Sequence, residues 1–184
     1  MSRERRDALG YFHNDLGLRP GASVQDVLDA IAGLRGRRVQ PIQLSSLPPT
    51  VSGIAVLGSD EHGVDYIGIT DRISRRHQAH VLLHEVRHLR PGNECGTQPG
   101  SSIAVHEDFD GVTLASLHEQ MSVLPESVRQ EILSRPAKLR AGYGADEERT
   151  CEVFARVVLP LLDLDDTSQR TGSLASAFSN RRYL

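Results

Sequence analysis

The chain has 184 residues, 39% of them apolar and 24% charged, with a net charge of −3; it is long enough for one domain with a sizeable core and lacks the basic excess that a phosphate backbone wants. Two cysteines, Cys95 and Cys151, make no disulfide framework, no apolar run approaches membrane-spanning length, and the charged start from Met1 to Asp7 is followed by no apolar signal segment. The expectation is a cytoplasmic protein that contacts neither membrane nor nucleic acid directly.

Leu9, Phe12 and Leu16 recur at helical spacing, which predicts a short amphipathic helix or arm over residues 1–20, with Arg3, Arg5 and Arg6 on a solvated helix end. Ser23 reads as an N-cap for a second helix over 24–34, with Val24, Val27, Leu28, Ile31 and Leu34 on its buried side and Gly36 where it should stop. The period then shortens to two. Residues 39–44, 51–57 and 65–70 read as three strands, broken by Pro48-Pro49 and by a turn over 58–63, and are expected to form a small antiparallel sheet. The third strand leads, through Asp71 or Ser74 as a cap, into an apolar helix over 79–89 that Pro91 ends. A strand just upstream of such a helix is either an ordinary edge or one that aligns an extended peptide.

Beyond Pro91, residues 91–111 have loop composition, with helices expected over 112–121 and, opened by Pro125, over 126–134. After a connector at 136–144, a last helix over 146–162 places Cys151, Phe154, Ala155, Val158 and Leu162 on one side, and a polar tail follows from Asp163. The expected organisation is an N-terminal arm (1–20), one α+β domain (21–162) and a C-terminal tail (163–184).

The chemistry concentrates in His84-Glu85-Val86-Arg87-His88. On a helix the two histidines lie one turn apart on one face and can hold a Zn²⁺ ion together, with Glu85 beside it as general base for a water. Zinc needs a third protein ligand. Positions three and six beyond His88 are Pro91 and Glu94, which excludes the Gly and His of the metzincin arrangement. Glu107 and Asp108 stand at a spacing some zinc peptidases use, but in an acidic, loop-like stretch. Glu148, near the start of the last helix, is the better candidate, because Glu152 one turn later falls on the same face and can accept the free N–H of a ligand histidine. Tyr143, His118 and His106 are candidates for stabilising an oxyanion.

These residues resemble the ImmA/IrrE family of zinc metallopeptidases, a gluzincin-type group, and most of all its actinobacterial members found beside helix-turn-helix regulators and labelled toxin–antitoxin components. The resemblance rests on Asp65-Tyr66-Ile67, on His77 through Leu89, on Leu124-Pro125, and on Glu148-Arg149-Thr150-Cys151-Glu152-Val153-Phe154-Ala155, with Cys151 in place of the usual Ala and Arg87 in place of the usual Gly. It implies a small zincin-like α+β fold carrying one zinc per chain on His84, His88 and Glu148, with Glu85 as base and Glu152 behind the ligands. It also implies an endopeptidase whose substrate is a protein partner, a helix-turn-helix repressor or an antitoxin; a non-proteolytic regulatory module on the same scaffold is the alternative. His77 and His80 are expected to cap or pack the helix, and Cys151 to be a small buried residue.

Overall fold

The computed structural model describes residues 1–44, 52–56, 63–91, 126 and 145–164. Helix α1 (Arg3–Gly10) begins at Ser2, whose hydroxyl accepts from the Arg5 amide, and runs into a π-helical turn, Tyr11–Asp15. The wider turn brings Tyr11 and Phe12 inward together with Ala8 and Leu16, so the first twenty residues pack on the core through these side chains. Helix α2 (Val24–Arg35) opens on a capping box in which Ser23 and Asp26 satisfy each other's amides, and closes on Gly36 at φ +63°. Val24, Val27, Leu28 and Ile31 are buried as their spacing requires, whereas Leu34 is 41% exposed: the last turn has run past the core.

Strands β1 (Arg38–Leu44), β2 (Gly53–Val56) and β3 (Val64–Thr70) form one sheet in the order β1-β3-β2. The pairing of β2 with β3 is antiparallel, but β1 runs parallel to β3, so the sheet is mixed rather than antiparallel and its third strand is central rather than an edge. The reason lies in the residues. All seven positions of β3 are buried, which demands neighbours on both sides. Pro41 of β1 has no amide to donate and belongs on an edge. The central strand also carries Asp65, 0% exposed; its carboxylate accepts a hydrogen bond from Arg35 Nε at 2.5 Å and forms an ion pair with Arg37, whose Nε is 3.2 Å away, while Arg35 reaches on to the Leu89 carbonyl at 2.9 Å. One guanidinium thereby joins the end of α2, the middle of the sheet and the end of the next helix.

That helix, α3 (Arg75–His88), starts at Ser74, whose hydroxyl accepts from the His77 amide; Asp71 is not the cap. Its apolar flank, Ala79, Val81, Leu82, Leu83 and Val86, is buried in the main core. Helix α4 (Ala145–Val158) lies against both α3 and α1 and gives way to a 3₁₀ turn, Leu159–Leu161, because Pro160 cannot continue the α-helical ladder. The fold is thus mixed helix and strand, and no helix among the described residues is long and apolar enough to cross a membrane. The helices expected over 112–121 and 126–134 lie outside the described residues save for Glu126, which is helical and exposed. The tail beyond 164 lies outside them as well.

Candidate metal centre

Helices α3 and α4 face each other, and their facing side chains match pair by pair. On α3 the stripe is His80, His84, His88; on α4 it is Glu148, Cys151, Glu152. Spacings of three and four put each set on one helical face.

Three of these residues converge. The Nε2 atoms of His84 and His88 are 3.0 Å apart, His84 Nε2 is 3.3 Å from one Glu148 oxygen, and His88 Nε2 is 3.4 Å from the other. A zinc ion with four tetrahedral ligands at about 2.0–2.1 Å holds its ligand atoms about 3.3–3.4 Å from one another; each ring nitrogen lies at that distance from one or other Glu148 oxygen, and one donor atom from each residue can be chosen with all three within 4.8 Å of one another. The donor chemistry fits too. Two ring nitrogens facing each other can share a single proton, or both can give lone pairs to a cation, and the carboxylate supplies negative charge opposite them. His84, His88 and Glu148 form a group that could hold a metal ion. Side-chain exposure rises from 0% at His88 through 13% at His84 to 37% at Glu148, so the group opens to solvent on one side, where a fourth, non-protein ligand would enter.

The surroundings differ for the two histidines. Glu152 Oε2 is 3.9 Å from His84 Nδ1 and only 3.0 Å from His80 Nε2, while its other oxygen accepts from Arg156 at 2.9 Å. Burial pushes the Glu152 carboxyl up, but hydrogen bonds from His80 and Arg156 outweigh it and hold the group below its ordinary range. The acid expected behind a ligand histidine is thus drawn mainly to His80, which neither caps nor merely packs the helix. Behind His88 lies Cys151, its Sγ 3.5 Å from Nδ1. Burial pushes that thiol well above its usual range.

Glu85 is 1% exposed and lies under β2. A Cβ placed on Gly53 would collide with Val81 Cγ1 and come within 3.3 Å of Glu85 Oε1, so glycine is what lets the edge strand approach this carboxylate. Arg87 is buried on the side of the N-terminal segment, its guanidinium 4.6 Å from the Tyr11 ring centroid, and Tyr11 in turn packs edge-on against Phe154 of α4 at 5.3 Å. Burial lowers the Arg87 pKa and raises that of Tyr11 to about 12. Glu147 is pushed up, first by burial and then by the adjacent Glu148 carboxylate, with Arg87 opposing both.

The sequence thus grouped His84, His88 and Glu148 as the structure does, while Glu85 is placed under β2; it missed the His80–Glu152 and Cys151–His88 pairs. The signal for both was present in the two matching stripes. The rival ligands Glu107 and Asp108, and the oxyanion candidates His106, His118 and Tyr143, lie outside the described residues. Comparison with protein-family models, with curated proteins and with solved structures finds no match to this chain.

Proposed function

We propose that this chain is a zinc-dependent endopeptidase of the small zincin type, related to the ImmA/IrrE metallopeptidases, whose substrate is a protein partner, first among candidates a helix-turn-helix transcriptional repressor or an antitoxin. The observation that carries the reading is the triangle of His84, His88 and Glu148 donor atoms, open on one side, with a glutamate between the histidines in sequence. When bound, Zn²⁺ would supply Lewis acidity to a water and to the scissile carbonyl. Glu85 would take the proton from the attacking water as the new C–O bond forms, and would hand it to the amine as the C–N bond then breaks. The edge strand β2, lying over Glu85, would place an extended substrate segment beside the same carboxylate.

One observation favours a non-proteolytic regulatory module instead: a base 1% exposed beneath a strand has little access to water except from the metal side. Elemental analysis of the purified protein separates the cases. One zinc per chain is expected in the wild type and none in His84→Ala or Glu148→Ala. Glu85→Gln should keep its zinc yet lose about 10²–10⁴-fold in cleavage of a candidate repressor. Zinc retained by Glu148→Ala would move the third ligand to Glu107 or Asp108. Wild type that takes up no metal even after zinc is added back would end the peptidase reading, and unchanged biological output from Glu85→Gln would establish the binding module.

A further inference from the structure

His84 and His88 meet different groups behind their rings, and the contact behind His88 assigns a role to Cys151. A histidine that gives one nitrogen to a metal keeps a proton on the other, and a partner for that N–H fixes the ring's tautomer and rotation. His88 turns Nε2 toward Glu148 and His84, so its proton must sit on Nδ1, where Cys151 Sγ stands 3.5 Å away. That is an ordinary distance for an N–H group donating to sulfur. Because Nδ1 and Nε2 are on different edges of the ring, the sulfur lies behind the histidine rather than in the donor triangle. Cys151 is 0% exposed, as is the His88 side chain, so bulk water has no access to stand in for the sulfur.

We propose that Cys151 is a positioning residue: its thiol sulfur accepts the Nδ1–H of His88 and holds that ring with Nε2 aimed at the metal. The proposal rests on the metal-centre reading above. A thiol is a weak acceptor, so the contact fixes geometry more than it enriches the ring, and the site obtains an outer partner for its buried histidine without burying a further charge. Cys151 reaches His88 because it stands three residues after Glu148 on α4; ligand and support are delivered by one helical turn.

The test compares zinc affinity, by competition with a chromophoric chelator, in wild type, Cys151→Ala, Cys151→Val and Cys151→Ser, with the ¹⁵N and ¹H signals of the histidine rings recorded on each zinc-loaded protein. Valine fills the space of the thiol without an acceptor, and serine keeps an acceptor. The expected result is a 10- to 100-fold loss of affinity in the alanine and valine variants, partial recovery in serine, and a His88 Nδ1–H signal that moves in the first two. Folding is checked by circular dichroism; if alanine unfolds the chain, the valine–serine pair still decides. Wild-type affinity in Cys151→Val with an unmoved His88 signal would show that the residue only packs. A thiolate-to-metal charge-transfer band in the cobalt-substituted wild type would make Cys151 a ligand and overturn the proposal. Wild type that binds no zinc takes down this proposal and the metal centre together, whereas zinc bound equally well by all four proteins takes down this one alone.

Discussion

Tyr11 offers a quantitative test of how the N-terminal segment is tied to α3. Its ring lies under the Arg87 guanidinium and against Phe154, with the side chain 3% exposed and the hydroxyl lacking a hydrogen-bond partner among the described residues. Burial, partly opposed by Arg87 and Arg90, raises its pKa from 10.0 to about 12. The sign follows from linkage. Below pH 10 folded and unfolded chains both keep the proton, and the stabilisation is fully present; between pH 10 and 12 the unfolded chain sheds a proton that the folded chain retains, and stability falls. At 1.36 kcal/mol per pH unit the loss by pH 11 is about 1.4 kcal/mol. The background is favourable, since Lys138 is the only lysine in the chain. Urea titrations at pH 8 and pH 11 on wild type and Tyr11→Phe should show the wild type losing about 1.4 kcal/mol more than the variant. At pH 8 the variant should match the wild type or exceed it by about 1 kcal/mol, because a stranded hydroxyl has been removed. An equal alkaline loss in the two proteins would refute the burial of Tyr11 and with it the packing of residues 1–20 on the core.

Two further predictions concern the elements that hold α3. Asp65→Asn removes the charge that Arg35 and Arg37 share and should cost about 3–5 kcal/mol in chemical denaturation, because the guanidinium groups are left near an uncompensated site; a loss below about 1 kcal/mol would mean that the cluster is solvated. Gly53→Ala drives a methyl group into Val81 Cγ1, on a β-branched side chain with few alternative rotamers in a helix, and should cost about 1–3 kcal/mol while pressing on Glu85. If Gly53→Ala is as stable as the wild type and binds zinc normally, β2 does not lie as close to α3 as described.

Local chemistry was legible in the sequence, and so was the centre of the site. Ser23, Gly36 and Ser74 act within a turn of themselves, so their capping roles could be read directly. The pair His84 and His88 needs only a helix to converge, and Glu148 needs only a second helix beside it. Strand order was not legible in the same way. Consecutive strands normally pair, and the chain departs from that habit because β3 is apolar enough to need both neighbours while Pro41 keeps β1 at an edge. Side-chain partners across elements were harder still. Whether Glu152 meets His80 or His84, and whether Cys151 faces His88, depends on the rotation of α4 about its own axis by a fraction of a turn. Arg87 meets Tyr11 because a π-helical turn displaces the end of the first helix, and no spacing rule announces that.

The seam between α3 and α4 is also a cross-link in the topological sense. Its contacts join residues 63 and 72 positions apart, and an ion held there would close the chain between them into a loop. Closure entropy grows only with the logarithm of loop length, and doubling such a loop costs about 0.6 kcal/mol, so the intervening chain is free to lengthen or shorten without separating the two halves of the centre. The ion itself would stabilise the closed form by mass action, about 2.7 kcal/mol at a hundredfold excess over its Kd. Metal supply would then set how firmly α4 is fastened to the rest of the molecule, and through α1 and Tyr11 how firmly the N-terminal segment is.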